Sequence, residues 1–191
     1  ISLLLGIPFG VLLFTTKRGG ILENRPVHFL LSKFCDVFRS IPYILLAMLL
    51  MSLSRLIMGT AIGVRGAIIP LLFGTIPYLG RQTENALAEV PSGMIEAAQS
   101  IGASPLEIIW RVYLKEAIPG IARGVTITLI SLINFPAMAG TLGAGGLGNF
   151  AYSYGYARNR NDVMVVVILI IIVMVSIIQA LGTHIAKKAT H

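Results

Sequence analysis

The feature that most constrains this chain is a nearly uninterrupted apolar run near its C-terminal end. The stretch from Val163 to Ile178 contains a single polar side chain, Ser176. A helix of this composition is apolar on every side, which a soluble fold of 191 residues has little room to bury but lipid accepts. The whole chain agrees, because 55% of its residues are hydrophobic and only 12% are charged, about half the charged fraction of a soluble domain. The sequence therefore predicts an all-α membrane protein.

Further apolar stretches divide the chain into spans. A complete span needs about 20 residues, or fewer where flanking basic side chains reach the membrane surface. We predict five spans, over residues 1–16, 40–54, 67–79, 125–138 and 163–186. The first is too short to be complete, so we expect half of it to be missing from this sequence. Pro42 is expected to kink the second span, and Pro70 and Pro77 are expected to interrupt the third.

The basic residues predict how the chain is oriented. The segments after spans one and three, together with the C-terminal tail, hold eleven of the 15 Lys and Arg residues. Basic loops stay in the cytoplasm, so we expect a multi-pass membrane protein with its N-terminus outside and its C-terminus inside. The net charge of +7 has the same origin, and nucleic acid is not an expected partner. Residues 21–39 mix charged and apolar side chains and predict an amphipathic helix that leads into the membrane.

A long polar segment from Val90 to Pro119 interrupts the apolar pattern. It predicts a first short helix from about Ser92 to Ile101, with Gly102 just past its end, where a left-handed glycine commonly closes a helix. A second helix opens with Ser104-Pro105-Leu106-Glu107. In this capping box the serine is the N-cap, the proline takes the first helical position and the glutamate reaches back. Glu107 is also expected to pair with Arg111, one turn later.

The middle of the first short helix combines a carboxylate, Glu96, with two small residues, Ala97 and Ala98. Small side chains let another protein approach closely, and Glu96 adds a directional polar contact. On residue types alone, the favoured alternative is an ordinary surface helix at the membrane interface.

The run Glu96-Ala97-Ala98-Gln99-Ser100-Ile101-Gly102 resembles the E-A-A-x-x-x-G motif of ABC importer permeases. In that family the motif forms the coupling helix, which docks in a groove of the ATP-binding subunit. The resemblance therefore implies a coupling site formed by Glu96, Ala97, Ala98, Gly102, Ser104 and Pro105. The family pattern continues as I-x-L-P, whereas this chain reads Val112-Tyr113-Leu114-Lys115, with lysine in place of proline. That departure puts the start of the fourth span in doubt.

Other stretches narrow the resemblance. Phe38-Arg39-Ser40-Ile41-Pro42-Tyr43-Ile44 resembles the F-R-S-I-P-F-I run of methionine permeases, and the stretches 76–87 and 137–148 resemble the same subfamily. The likeness covers essentially the whole chain. It implies one transmembrane domain over residues 1–191 with the five-span type I ABC importer fold. It also implies a homodimer, two ATP-binding subunits and a periplasmic or lipid-anchored substrate-binding protein.

The resemblance assigns ATP hydrolysis to the partner, so the chain itself is expected to be a transport subunit without a cofactor. No phosphate-binding loop of the G-x-x-x-x-G-K-[ST] type occurs in the sequence. Gly143, Gly145 and Gly148 match a dinucleotide-binding pattern, but a membrane helix precedes them where that fold needs a strand. No metal site is expected, because Cys35 is the only cysteine and the histidines lack ligand spacing.

Two residues of the fourth span are candidates for the translocation pathway. Asn134 either lines the pathway or makes an interhelical hydrogen bond, and Met138 is either a flexible gate or a packing residue.

Three alternatives stay open at this point. An importer for another small solute, such as betaine or a phosphonate, has a similar glycine-rich run. A channel would not need the polar segment around Glu96. A membrane enzyme would need catalytic groups that the spans do not offer, since span four has only Asn134, Ser131 and Thr128.

Overall fold

A computed structural model of the protein describes residues 1–139 and 145–189, with side chains throughout except at 134–139. Every regular element in these ranges is helical, which confirms the all-α class. The α-helices in chain order are α1 (Ser2–Thr15), α2 (Arg25–Ser40), α3 (Tyr43–Leu49), α4 (Met51–Met58), α5 (Gly63–Ala88), α6 (Ser92–Ser100), α7 (Pro105–Ile108), α8 (Leu114–Glu116), α9 (Ile118–Ala139), α10 (Gly146–Phe150) and α11 (Asn161–Ala189). Two π-helices, Ile109–Tyr113 and Ala151–Tyr156, join α7 to α8 and follow α10.

The chain divides into two compact units. The first unit comprises Ile1–Val37, Ile76–Thr126 and Leu181–His191. The second comprises Phe38–Thr75 and Ile127–Ala180. The helices α2, α5, α9 and α11 contribute residues to both units.

Two helices, α5 and α11, are each long and apolar enough to cross a membrane. A third candidate is a bent pair, in which Pro105–Glu116 and Ile118–Ile133 meet at 66°. The helix α1 is apolar but shorter. The helix α1 coincides with the predicted first span, α5 with the third, the bent pair with the fourth and α11 with the fifth. In α11 only 6% of the most apolar window is buried, so almost its whole circumference is available to lipid or to a second chain.

The predicted second span, 40–54, is not one helix. The chain breaks between Ser40 and Tyr43, and again at Leu50, which separates α3 from α4. Pro42 causes the first break by lying in an extended conformation ahead of α3, because proline has no N–H to donate and disfavours a helical residue before it. The predicted kink is therefore a complete interruption.

The predicted interruption of the third span is wrong. The helix α5 runs without a break from Gly63 to Ala88, through both Pro70 and Pro77. Membrane helices tolerate proline because neighbouring groups satisfy the backbone that each proline frees. The helix also extends beyond the predicted end of the third span, since residues 81–88 belong to α5. The polar segment between α5 and α9 is shorter as a result.

Glycine lets α1 lie directly against α5 within the first unit. A Cβ on Gly6 would be 2.8 Å from Cδ2 of Leu79, and one on Gly10 would be 2.5 Å from Cβ of Thr83. Both distances are shorter than real carbon contacts, so neither position accepts even alanine without movement. The four-residue spacing of these glycines is the small-xxx-small pattern of closely packed membrane helices.

A second pair of glycines brings α9 equally close to α5. A Cβ on Gly120 would be 2.8 Å from Cβ of Ala86, and one on Gly124 would be 2.8 Å from Cβ of Gln82. The residues 76–88 of α5 therefore carry close contacts to α1 and to α9.

Polar contacts join α2 to α5 in the same unit. The Arg81 guanidinium donates Nη2–H to Oδ1 of Asp36 at 2.8 Å and to Oγ of Ser32 at 2.7 Å, and Nη1–H to Oε2 of Glu84 at 2.8 Å. Cys35 is fully buried and its Sγ donates to the carbonyl of Pro77 at 3.2 Å. Cys35 is therefore a small buried residue at the contact between α2 and α5.

In the second unit, aromatic rings pack against each other at two positions. Phe38 and Phe73 pack with ring centroids 5.2 Å apart. Around the second π-helix, the rings of Phe150 and Tyr154 stack at 5.0 Å, and those of Tyr152 and Tyr156 stack at 5.8 Å.

Candidate functional site

The two ends of the polar segment, which begins after α5 and ends at α9, pack into one buried cluster. A buried cluster contains Phe14 of α1, Leu87 of α5 and Ala117, which directly precedes α9. Next to it, Nη2 of Arg123 donates to Oε2 of Glu89 at 2.8 Å. Both ends of the segment are therefore anchored in the first unit.

The helix α6 lies within this segment and matches the predicted helix to within one residue. Ile95 and Ala98, three residues apart on one face, pack against Ile108 of α7. Val90 is packed against this cluster and also against the cluster that contains Leu87. Val90 therefore connects α6, by packing contacts, to the cluster at the ends of α5 and α9.

The end of α6 is closed as predicted. Gly102 has φ +79°, and its N–H donates to the carbonyl of Gln99 at 2.9 Å. The N–H of Ala103 donates to the carbonyl of Ala98 at 3.1 Å. These two bonds form a Schellman motif. The motif needs a left-handed residue at position 102, and only glycine adopts that φ without strain.

The two alanines of the motif lie on different faces of α6. Glu96 and Ala97 are exposed, whereas Ala98 is buried against α7. The sequence interpretation treated both alanines as small outward residues. In the structure, only Ala97 presents a small surface beside the Glu96 carboxylate, and the small size of Ala98 lets α6 approach α7.

The capping box at the start of α7 is formed as predicted. Oγ of Ser104 accepts from the N–H of Glu107, and Oε2 of Glu107 accepts from the N–H and the hydroxyl of Ser104 at 3.0 and 2.8 Å. These hydrogen bonds, the backbone N–H first, lower the pKa of the Glu107 carboxyl below its ordinary value. Pro105 takes the first helical position, where no N–H is needed.

The expected ion pair between Glu107 and Arg111 is not among the ion pairs of the described residues. The Glu107 carboxylate accepts hydrogen bonds from Ser104 instead. The positive charge of Arg111 still contributes to lowering the pKa of Glu107, without a direct ion pair.

A surface pocket of about 360 Å³ lies where α6 meets the following helices. Its walls include Ala98, Ile101, Glu107, Arg111 and Val112. It combines apolar and charged groups, and no group of metal-binding side chains occurs in the part of the chain that the structure describes. This chemistry suits contact with a protein surface.

Sequence reasoning missed three large apolar side chains that point away from the protein in this segment. Ile101 is 86% exposed, Trp110 is 71% exposed and Leu106 is 63% exposed. An apolar residue within a polar segment is the signal that would have identified them.

The start of the fourth span is intact despite the lysine at 115. Lys115 lies in α8, and α9 begins at Ile118 with Pro119 in its first turn. A proline there removes no hydrogen bond of the helix.

The two pathway candidates lie on α9. The backbone of α9 includes Asn134 and Met138, but their side chains lie outside the described residues. Residues 140–144 of the glycine-rich run also lie outside them, whereas Gly145 and Gly146 both have positive φ.

Comparison with known proteins agrees with this architecture. The family described as "Binding-protein-dependent transport system inner membrane component" matches residues 6–191. A Vibrio cholerae protein described as "Probable D-methionine transport system permease protein MetI" is 46% identical over 187 residues, which cover 98% of this chain and 83% of the relative.

Two solved structures show the same fold. A chain of the MetNI methionine ABC transporter in an inward-facing conformation superposes with a TM-score of 0.96 at 42% identity, covering 100% of this chain and 88% of that chain. A chain of an amino acid ABC transporter crystallised with histidines superposes with a TM-score of 0.77 at 18% identity, covering 98% and 86%. The second likeness concerns the fold alone.

Proposed function

This chain belongs to the family of binding-protein-dependent transport system inner membrane components, and on that premise we propose that it is the permease of an ATP-driven methionine importer. The names of the relatives and of the MetNI structure support the substrate. The observation that carries the coupling role is the geometry of α6. That helix exposes Glu96 and Ala97 on one side and is fastened to the rest of the unit on the other.

The coupling surface consists of the outer side of α6 and the residues that hold it in place. Glu96 supplies a carboxylate for a polar contact, and Ala97 leaves room for the backbone of an ATPase to approach. Ala98, Gly102, Ser104 and Pro105 act indirectly, because they set the position of α6 against α7. The exposed side chain of Ile101 adds an apolar contact at the end of the helix.

The working assembly contains more than this chain. Two copies form a homodimer with the pathway on its two-fold axis, and two ATP-binding subunits meet the two α6 helices. ATP is bound by those subunits, so the permease needs no cofactor. A periplasmic or lipid-anchored binding protein delivers the solute on the outer side, and membrane lipid surrounds the spans. The N-terminus is outside and the C-terminus is in the cytoplasm, as the distribution of basic residues predicts.

Transport follows from a two-state permease that the ATPase biases. Closure of the ATPase pair on ATP moves the two α6 helices together, and the contacts of Val90 pass that movement to α5 and α9. The spans then change from inward-facing to outward-facing, and the ATP state decides which arrangement is populated.

Asn134 and Met138 are our candidates for the pathway, with Met138 as a flexible apolar gate. The test is Met138→Ala in proteoliposomes. A gate predicts an increased leak of methionine without ATP, and unchanged leak and uptake would remove Met138 from this role.

The substrate is tested by uptake of radiolabelled methionine into proteoliposomes that contain the full-length permease, its ATPase and the binding protein. We expect ATP-dependent uptake that unlabelled methionine suppresses and that betaine and a phosphonate do not. ATP hydrolysis without methionine uptake would keep the importer architecture and reject the substrate. Failure of any ATPase to co-purify would instead favour a channel or an enzyme.

The coupling role is tested with substitutions on the outer side of α6. Glu96→Lys and Ala97→Trp change the outer side, so they should abolish uptake while the permease remains folded. Glu116→Lys, the same charge reversal at an exposed position outside α6, is the matched control and should transport normally. Full transport by both Glu96→Lys and Ala97→Trp would contradict docking through α6.

A further inference from the structure

The segment Pro105–Glu116 carries an apolar stripe that the proposed coupling surface does not use. Leu106 and Trp110, four residues apart, are both more than half exposed. The opposite side of the segment is buried, since Ile108 and Ile109 belong to the interior. These two side chains form a small apolar surface on one side of the segment.

The position of the segment limits what covers this surface. Only Ala117 separates it from α9, and it meets the span Ile118–Ile133 at 66°. If that span crosses the bilayer near its normal, a helix turned by this angle runs closer to the membrane plane than to the normal. It does so at the point where the span leaves the membrane.

The exposed residues of the segment form two parallel stripes of different character. Glu107 and Arg111 follow Leu106 and Trp110 by one position, and both line the pocket beside α6. Leu106 and Trp110 do not line that pocket. The charged stripe therefore borders the proposed ATPase surface, whereas the apolar stripe lies outside it.

The apolar stripe also continues toward the membrane. Ile118 at the start of α9 is exposed. Lys115, also exposed, lies between the stripe and the span and can reach lipid phosphates. Tryptophan is enriched at the boundary between headgroups and acyl chains, where the ring is buried and its N–H stays hydrated.

From these observations we propose that Pro105–Glu116 lies along the surface of the lipid bilayer, with Leu106 and Trp110 inserted at the boundary between headgroups and acyl chains. The inference needs α9 to cross the membrane but does not need methionine to be the substrate. It assigns the cytoplasmic leaflet only through the proposed orientation. The bilayer then supports α7 from one side while the ATPase acts on α6 from the other.

Trp110 makes the proposal measurable, because it is the only tryptophan in these 191 residues. The complete permease–ATPase complex is reconstituted in liposomes of phosphatidylcholine, brominated either near the headgroup or near the chain ends. Subtracting the spectrum of the Trp110→Phe complex isolates the emission of Trp110 from tryptophans elsewhere in the assembly. We expect the emission of Trp110 to be blue-shifted. Lipid brominated near the headgroup should quench it, whereas lipid brominated near the chain ends and iodide in the aqueous phase should not.

The matched control moves the tryptophan to the coupling side, as Trp110→Phe with Ile101→Trp. That ring should be insensitive to brominated lipid. Quenching of Trp110 by iodide and not by brominated lipid would overturn the proposal. Protection of Trp110 by the ATPase in place of lipid would also overturn it and would assign the stripe to the ATPase.

A second label guards against misfolding of the tryptophan variants. A spin label at Leu106→Cys, in a Cys35→Ser background, should relax faster with oxygen, which partitions into lipid, than with a water-soluble nickel complex. The reverse order would contradict insertion. Methionine uptake, measured in parallel, separates this result from failure of the proposed function.

Discussion

Gly120 of α9 lies so close to Ala86 of α5 that a Cβ on the glycine would be 2.8 Å from the alanine Cβ. Four residues later in α9 and four residues earlier in α5, Gly124 faces Gln82 in the same way. The two helices that flank the polar segment therefore approach each other closely at these glycines. The added volume of any side chain at Gly120 or Gly124 would separate α9 from α5.

Substituting Gly120 with valine should destabilise the permease. The added methyl groups cannot fit between the helices, and overpacking of this kind costs about 1–3 kcal/mol. The measurement is the apparent melting temperature of the purified complex in detergent, where Gly120→Val should melt lower. Gly93→Ala is the control, because a Cβ on Gly93 would meet nothing within 4 Å. Equal melting temperatures for the two variants would show that the close approach is not a native feature.

The ion pair beside this contact should matter much less. The side chains of Glu89 and Arg123 are 64% and 54% exposed, and exposed pairs contribute at most about 1 kcal/mol. Glu89→Gln should therefore lower the melting temperature only slightly, and less in high salt than in low salt. A loss as large as that of Gly120→Val would mean that the pair is buried in the assembled transporter.

The capping box should make the start of α7 sensitive to acid. The pKa of Glu107 is lowered in the folded state, so its stabilising contribution is complete above the ordinary value of 4.5 and is lost as pH falls through the lowered pKa. Hydrogen exchange at the amide of Glu107 should accelerate in that acid range beyond the intrinsic pH effect. Glu107→Gln should remove this extra dependence, and its persistence in that variant would assign it to another group.

Removing the N-cap hydroxyl should act at every pH. Ser104→Ala deletes the acceptor for the N–H of Glu107 and costs about 1 kcal/mol of local stability. Exchange at the first amides of α7 should rise, while those of α6 change less. Since Pro105 has no N–H, Glu107 and Leu106 are the amides to follow. Unchanged exchange there would argue against the cap.

Cys35 should be unreactive in the folded protein. Its side chain is fully buried between α2 and α5, and it is the only cysteine in the sequence. A water-soluble maleimide should label the complex only after denaturation. The variant Cys35→Ser with Arg18→Cys, which moves the thiol to an exposed position, should be labelled rapidly. Rapid labelling of the unchanged protein would mean that α2 separates from α5 in the resting state.

Local patterns explain what could be predicted without a structure. The membrane class, the helix at 92–100 with Gly102 after it, and the capping box at Ser104 each depend on residues within a few positions of one another. The likeness at Glu96-Ala97-Ala98 pointed to the family for the same reason. The amino-acid order alone determines such features, because helix propensity, capping and apolar burial in lipid act over short distances.

Tertiary packing decided the rest. The helix α5 passes through Pro70 and Pro77, although proline alone predicts a break, and its residues 76–88 are packed closely against α1 and α9. Ala98 turns inward because Ile108 occupies the space beside it, and Gly120 is required because Ala86 lies opposite. Each of these outcomes depends on which residue, far away in the sequence, fills the adjoining volume, and a close-packed interior allows little tolerance in that choice.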